Sequence, residues 1–167
     1  HLAEGELVLA GTVLDRVADA TFVPPEERDV AVVFQEPRLF PHLTVARNIA
    51  YPLERQGVSR ADVADRAAEV ATIVGASAFA ASKPRDLSGG QAQRASIGRA
   101  LIAGANTLLM DEPLAAIDDR SKDDFRRIFR SSVAERVVWV THDPADAEHA
   151  DVIVSIADGR VDQTASR

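Results

Sequence analysis

Short apolar runs alternate along this chain with longer stretches in which apolar positions recur at helical spacing. Residues 6–9 and 30–34 read as strands, separated by the Pro24-Pro25 turn and a charged segment. After Gln35 the texture changes, and Pro37, Pro41 and Pro52 punctuate a passage that reads as loop. Ser59-Arg60-Ala61-Asp62 then offers a capping box. The helix behind it carries Val63, Ala67, Val70 and Val74 at helical spacing, and Gly75 ends it. The residues beyond Gln91 predict a long helix, followed by a strand over 107–110. A helix over 121–133 has Phe125, Ile128 and Phe129 on one face, and a strand follows over 137–141. Asp143-Pro144 opens a short helix, and a strand over 152–156 comes after it. Strand and helix in alternation predict an α/β fold with a mostly parallel sheet.

The chemistry gathers where these elements end. Leu87-Ser88-Gly89-Gly90-Gln91 stands just ahead of a helix, so its N–H groups have no intrahelical partner and face the positive end of the helix dipole. That arrangement suits phosphate, with the glycines allowing close approach and Ser88 capping the helix. Thr107-Leu108-Leu109-Met110-Asp111-Glu112-Pro113 reads as a buried strand delivering two carboxylates at its C-terminal end. Asp111 suits Mg²⁺ coordination there, and Glu112 suits polarising a water for attack on phosphorus. A lone Asp-Glu pair commonly marks a solvated turn, and a lone histidine is more often a surface residue than a catalytic one. Here the company decides. Val137-Val138-Trp139-Val140 leads to His142, and Val30-Ala31-Val32-Val33-Phe34 leads to Gln35, so three strand ends deliver the parts of a nucleotide-hydrolysing site.

These motifs, in this order, resemble the ATP-binding cassette (ABC) ATPases. Leu87 to Gln91 is similar to the family's signature motif, Gln35 to its Q-loop glutamine, and Asp111 with Glu112 to its Walker B pair. Leu114-Ala115-Ala116-Ile117-Asp118 resembles the D-loop, and His142 the switch histidine. The stretch from Phe34 to Val45 further resembles the cassettes of bacterial solute importers. Ala115 stands where a serine is usual, and Thr107 opens a strand that is normally apolar. The resemblance runs from about residue 5 to about residue 162.

The phosphate-cradling P-loop needs a Gly-rich turn followed by Lys and then Ser or Thr. The lysines of this chain, Lys83 and Lys122, follow Ser82 and Ser121 and no glycine, so no P-loop lies in these residues. The expectation is therefore a fragment: a P-loop NTPase-like, mostly parallel sheet with an inserted helical subdomain, lacking its N-terminal strands and P-loop. Residues 1–36 and 86–167 would form a partial ATPase core, with 37–85 the helical subdomain. The interval from Gln35 to Leu87 suits a small helical insert and is too short for a long coiled-coil arm.

Composition narrows the partners. Lys plus Arg number 19 against 26 Asp plus Glu, a net charge of -7, which argues against nucleic acid. Cysteine is absent, in keeping with a reducing compartment. No apolar run approaches the roughly 18 residues of a membrane span, so any membrane association would come through a partner.

The resemblance implies two cassettes in a head-to-tail homodimer around ATP and Mg²⁺. Glu112 would orient the attacking water and His142 hold the γ-phosphate as the catalytic pair. Gln35, Ser88, Gly89, Gly90, Gln91 and Asp118 would contact the nucleotide, and Asp111 with Gln35 the metal. It further implies a transmembrane permease docked on 36–52, where Leu39, Phe40 and Leu43 stand among prolines, and a cytoplasmic location on the inner face of the cell membrane. The chain alone would be inactive. Two other readings remain: a non-catalytic half-site that lends its signature to a partner, and a soluble ABC ATPase of DNA maintenance.

Overall fold

Two-residue turns shape the first stretch of the chain. The computed structural model describes residues 2–131 and 134–166, which divide into the units His1–Val30 and Ala31–Arg167. In the first unit β1 (Glu6–Leu9) pairs antiparallel with β2 (Thr12–Arg16), Leu9 opposite Thr12. Ala10 and Gly11 turn the chain with φ of 51° and 81°, the sign pattern of a type I′ hairpin turn. The short β3 (Thr21–Phe22) adds to β2, giving an antiparallel sheet in the order β1-β2-β3.

The strand β4 (Val30–Val33), as expected from its apolar run, starts at the last residue of the first unit and opens the second. The passage read as loop then becomes a helix, α1 (Val45–Arg55), with Pro52 inside it. Thr44 caps α1 by accepting the Arg47 N–H at 3.3 Å, and Val45, Ile49 and Leu53 form a buried stripe at four-residue spacing. Each of those side chains contributes roughly 1.5–3 kcal/mol. Together they exceed the roughly 3 kcal/mol that an interior proline costs. The prolines dominate the local signal, and packing overrides them. Leu43, expected on an exposed loop, is buried, because Asn48 holds the preceding turn: its amide donates to the carbonyls of Phe40 and Thr44 and accepts the Phe40 N–H at 2.8 Å.

Next comes α2 (Arg60–Ile73), capped by Ser59 and followed by Gly75 in the left-handed region at φ 66°. The expected capping box is half made. Ser59 accepts the Asp62 N–H, but the Asp62 carboxylate accepts the Ser59 hydroxyl rather than its N–H. The helix α3 (Gly89–Ile102) packs against both α1 and α2. Gly98 permits this closeness, since a Cβ there would stand 3.2 Å from Ile49 and 3.3 Å from Val74.

The strand β5 (Thr107–Asp111), the helix α4 (Asp119–Arg130), the strand β6 (Arg136–Val140) and the short helix α5 (Pro144–Ala147) follow close to the expected positions. Residues 132 and 133, the expected end of the α4 helix, lie outside the described residues. The sheet runs in the order β4-β5-β6, and β5 and β6 are parallel, with Thr107 opposite Arg136 and Asp111 opposite Val140. Finally β7 (Val152–Ala157) and β8 (Arg160–Ser166) form an antiparallel hairpin through Asp158-Gly159. One apolar core, including Val33, Ile49, Val74, Ile97, Met110 and Phe125, joins α1, α2, α3 and α4 to the parallel sheet.

Candidate active site

A parallel pair of strands places everything that follows its C-terminal ends along one edge. β5 ends at Asp111, and Glu112 leaves it in the left-handed region at φ 45°. The Glu112 N–H donates to the Val140 carbonyl at 2.9 Å, which carries the pairing one residue past β5. The turn brings the Glu112 carboxylate to His142, two residues beyond β6, with Oε1 2.6 Å from Nδ1. The carboxylate is largely sheltered at 18% exposure, whereas the imidazole is 84% exposed. Its hydrogen bond to Glu112, and then the carboxylate's charge, raise the His142 pKa above the ordinary imidazole value. A carboxylate and an imidazole sharing one proton at an exposed edge can accept a proton from water.

Gln35 follows β4, the neighbour of β5. The link between these strand ends is Gln93, which sequence reasoning missed. Its buried amide donates to the Phe34 carbonyl at 3.3 Å and the Pro113 carbonyl at 3.1 Å, bringing the residues flanking Gln35 and Glu112 onto one side chain. Arg99 adds two bonds from the same helix, to Arg38 O at 2.9 Å and Pro37 O at 3.2 Å, and lies over the Phe40 ring. Gln93 had a signal: a polar residue four positions before the core residue Ile97. Gln35 itself is exposed.

The signature residues sit elsewhere on this surface. Ser88 caps α3 in a complete capping box, accepting the Gln91 N–H at 3.3 Å while Gln91 Oε1 accepts the Ser88 N–H at 2.9 Å. The first intrahelical bond is Ala92 N–H to Ser88 C=O, so the N–H groups of Gly89 and Gly90 precede the ladder. Gly90 lies against the loop after Pro113: a Cβ there would stand 2.7 Å from the Ala116 carbonyl oxygen. Asp118 caps α4 through Ser121 and pairs with Arg94 at 2.9 Å, and the Ser121 bond foremost holds its carboxyl below the usual range. The structure thus unites Glu112 with His142, and ties their edge to Gln35 through Gln93. Gly89 and Gly90 abut Ala116 instead.

For a metal the donors are few. Asp111 is exposed at the end of β5, and no group of three or more His, Asp or Glu poised to hold a metal ion occurs among the described residues. Such a set still fits Mg²⁺, which keeps several waters and takes one or two protein oxygens together with substrate phosphates.

The chain as a whole is similar to known proteins. A family profile described as ABC transporter matches residues 1–115. The spermidine/putrescine import ATP-binding protein PotA of Thermobifida fusca (strain YX) is 43% identical over 150 residues, covering 87% of this chain and 39% of that protein. The trehalose/maltose import ATP-binding protein MalK of Thermococcus litoralis is 37% identical over 149 residues, covering 87% of this chain and 40% of that protein. The sulfate/thiosulfate import ATP-binding protein CysA of Gloeobacter violaceus is 39% identical over 165 residues, 96% of this chain and 48% of that protein. The chain spans less than half the length of these relatives. Among solved structures, a dimeric post-hydrolysis state of the ATP-binding cassette MJ0796, bound to ADP and Pi, superposes with a TM-score of 0.87 at 29% identity, covering 98% of this chain and 74% of that one. The profile over residues 1–115 and the identity to these relatives show that the chain belongs to the ABC transporter family of ATP-binding cassettes.

Proposed function

We propose that these residues supply the hydrolytic edge and the signature surface of an importer ATPase that couples ATP hydrolysis to solute uptake. The observation that carries the reading is the 2.6 Å contact between Glu112 and His142 at the ends of parallel strands. In the proposed reaction a water oxygen attacks the γ-phosphorus, and the bond from that phosphorus to the β,γ-bridging oxygen breaks. ADP leaves, and Glu112 takes the proton of the water. His142 orients the carboxylate and the γ-phosphate. Asp111 and Gln35 would hold Mg²⁺, whose contribution is charge neutralisation on the phosphate oxygens. The N–H groups of Gly89 and Gly90, with Ser88 and Gln91, would clamp the γ-phosphate of a nucleotide bound to a second cassette, head to tail. Asp118 would border that interface.

Residues 37–85 form the proposed helical subdomain, and 36–52 the proposed seat of a membrane permease. Through the permease the protein would sit on the inner face of the membrane. Among the described residues no helix is long and apolar enough to cross a bilayer. The relatives are named for polyamine, sugar and sulfate import at similar identity, so the residues shared with them do not encode the solute. Without a Gly-rich Lys-Ser/Thr turn, a polypeptide of these residues alone is proposed to be inactive.

Steady-state hydrolysis of Mg-ATP by the full-length protein tests the reading. His142→Ala is expected to slow turnover and leave ATP binding largely intact. Loss of binding as large as the loss of rate would count against it, and an ATPase-silent full-length protein would favour the non-catalytic half-site.

A further inference from the structure

His142 bonds through its ring to Glu112 and the ring is 84% exposed, so its place depends on what holds the backbone around it. The residues on either side of it are both tethered. Thr141 Oγ1 donates to Asp146 Oδ2 at 2.7 Å and accepts the Asp143 N–H at 3.0 Å. The other Asp146 oxygen, Oδ1, accepts from Arg126 Nε at 2.8 Å and Nη2 at 2.6 Å. Arg126 Nη2 also donates to Asp143 Oδ2 at 3.3 Å, while Nη1 reaches Asp123 at 2.8 Å. The Arg126 and Asp146 side chains are only 8% and 4% exposed.

Burying such a pair is costly by itself, and replacing one with apolar groups is often neutral or stabilising. Stability is therefore a weak reason for its presence. Its geometry offers a stronger one. Both carboxylate oxygens of Asp146 are engaged, one by α4 and the other by the residue directly before His142. We infer that Thr141, Asp146 and Arg126 are positioning residues, which hold the backbone on both sides of His142 so that its imidazole meets Glu112. Because Arg126 lies on α4, whose first turn is capped by Asp118, the same helix connects the Asp118 loop to the histidine.

This inference rests on the proposed ATPase reading, and its test separates the two. In the full-length protein, Thr141→Val removes the hydroxyl at nearly constant volume, and Thr141→Ser keeps it. Thr141→Val is expected to lower kcat about tenfold or more, as misplacement of a catalytic group does, with KM for Mg-ATP little changed and Thr141→Ser close to wild type. Placed in a His142→Ala background, Thr141→Val should lower the residual rate no further, since its effect runs through the histidine. A Thr141→Val enzyme as fast as wild type, a Thr141→Ser enzyme as slow as Thr141→Val, or a loss that persists in the His142→Ala background would each overturn the inference. If His142→Ala itself left turnover unchanged, the ATPase assignment of His142 would fall first.

Discussion

Glu112 and His142 meet because the backbone turns out of line at Glu112. With φ at 45°, a conformation that costs a non-glycine residue energy, Glu112 leaves β5, gives its N–H to Val140 and aims its carboxylate at Nδ1 of His142, 2.6 Å away. A continuing strand would alternate the side chain to one sheet face. The strained turn spends conformational energy where the proposed chemistry occurs.

This contact has a pH signature. A histidine whose folded pKa is raised contributes stability that is full below its unfolded value, about 6.5, and that fades as pH rises through the folded value. NMR titration of the His142 ring should give a pKa above 6.5, and Glu112→Gln should return it toward that value. An unchanged titration in the variant would mean that the contact does not persist in solution.

The two signature glycines should fail differently. A Cβ at Gly90 would stand 2.7 Å from a backbone oxygen, so Gly90→Ala must displace the Ala116 loop and is expected to cost about 1–3 kcal/mol in urea unfolding. At Gly89 the nearest atom to such a Cβ is 4.0 Å away. Gly89→Asp should fold normally and abolish hydrolysis by repelling phosphate, while ATP binding to the same subunit survives. Equal stabilities for the two variants would contradict the packing, and an unaltered ATPase rate for Gly89→Asp would show that the motif is merely a turn.

Gln93→Leu tests the bridge between strand ends. It leaves the buried Pro113 carbonyl without this donor, at a cost of roughly 1–3 kcal/mol where no water replaces it, and the part-buried Phe34 carbonyl at a smaller one. A lowered urea midpoint with an unchanged slope is expected. A midpoint equal to wild type would mean that the bridge holds nothing.

Much of this architecture is legible in the amino-acid sequence, because strands that end in charge and turn residues that cap helices are local signals. Ser88 and Ser59 announce their helices, and Gly75 its stop. Several of the failures are long-range. Thr44 caps α1 locally, but Pro52 argues against a helix, and packing of Val45, Ile49 and Leu53 decides in its favour. Gln93, Arg99 and Arg126 act on carbonyls and carboxylates far away in sequence, which no periodicity reports. β2, β3 and β8 are missing from the expected strands, although β8 has a local signal: Asp158-Gly159 is a strong hairpin turn pair.

Burial also redraws the proposed permease surface. Leu43 is inside, while His42 and Arg47 are exposed on the same segment. Single cysteines at 42 and 47 in an otherwise cysteine-free full-length protein should crosslink to a cytoplasmic loop of the permease, with a yield that depends on ATP. A transport-competent complex that gives no crosslink under any nucleotide condition would remove 36–52 from the interface.

Glu112→Gln in the full-length protein asks whether this carboxylate activates water. The change keeps the shape of the side chain and removes its charge. ATP hydrolysis should fall roughly a hundredfold or more, while ATP binding persists and ATP now holds the protein as a stable dimer in size-exclusion chromatography. Turnover near the wild-type rate would contradict the assignment of Glu112 as the base of this site.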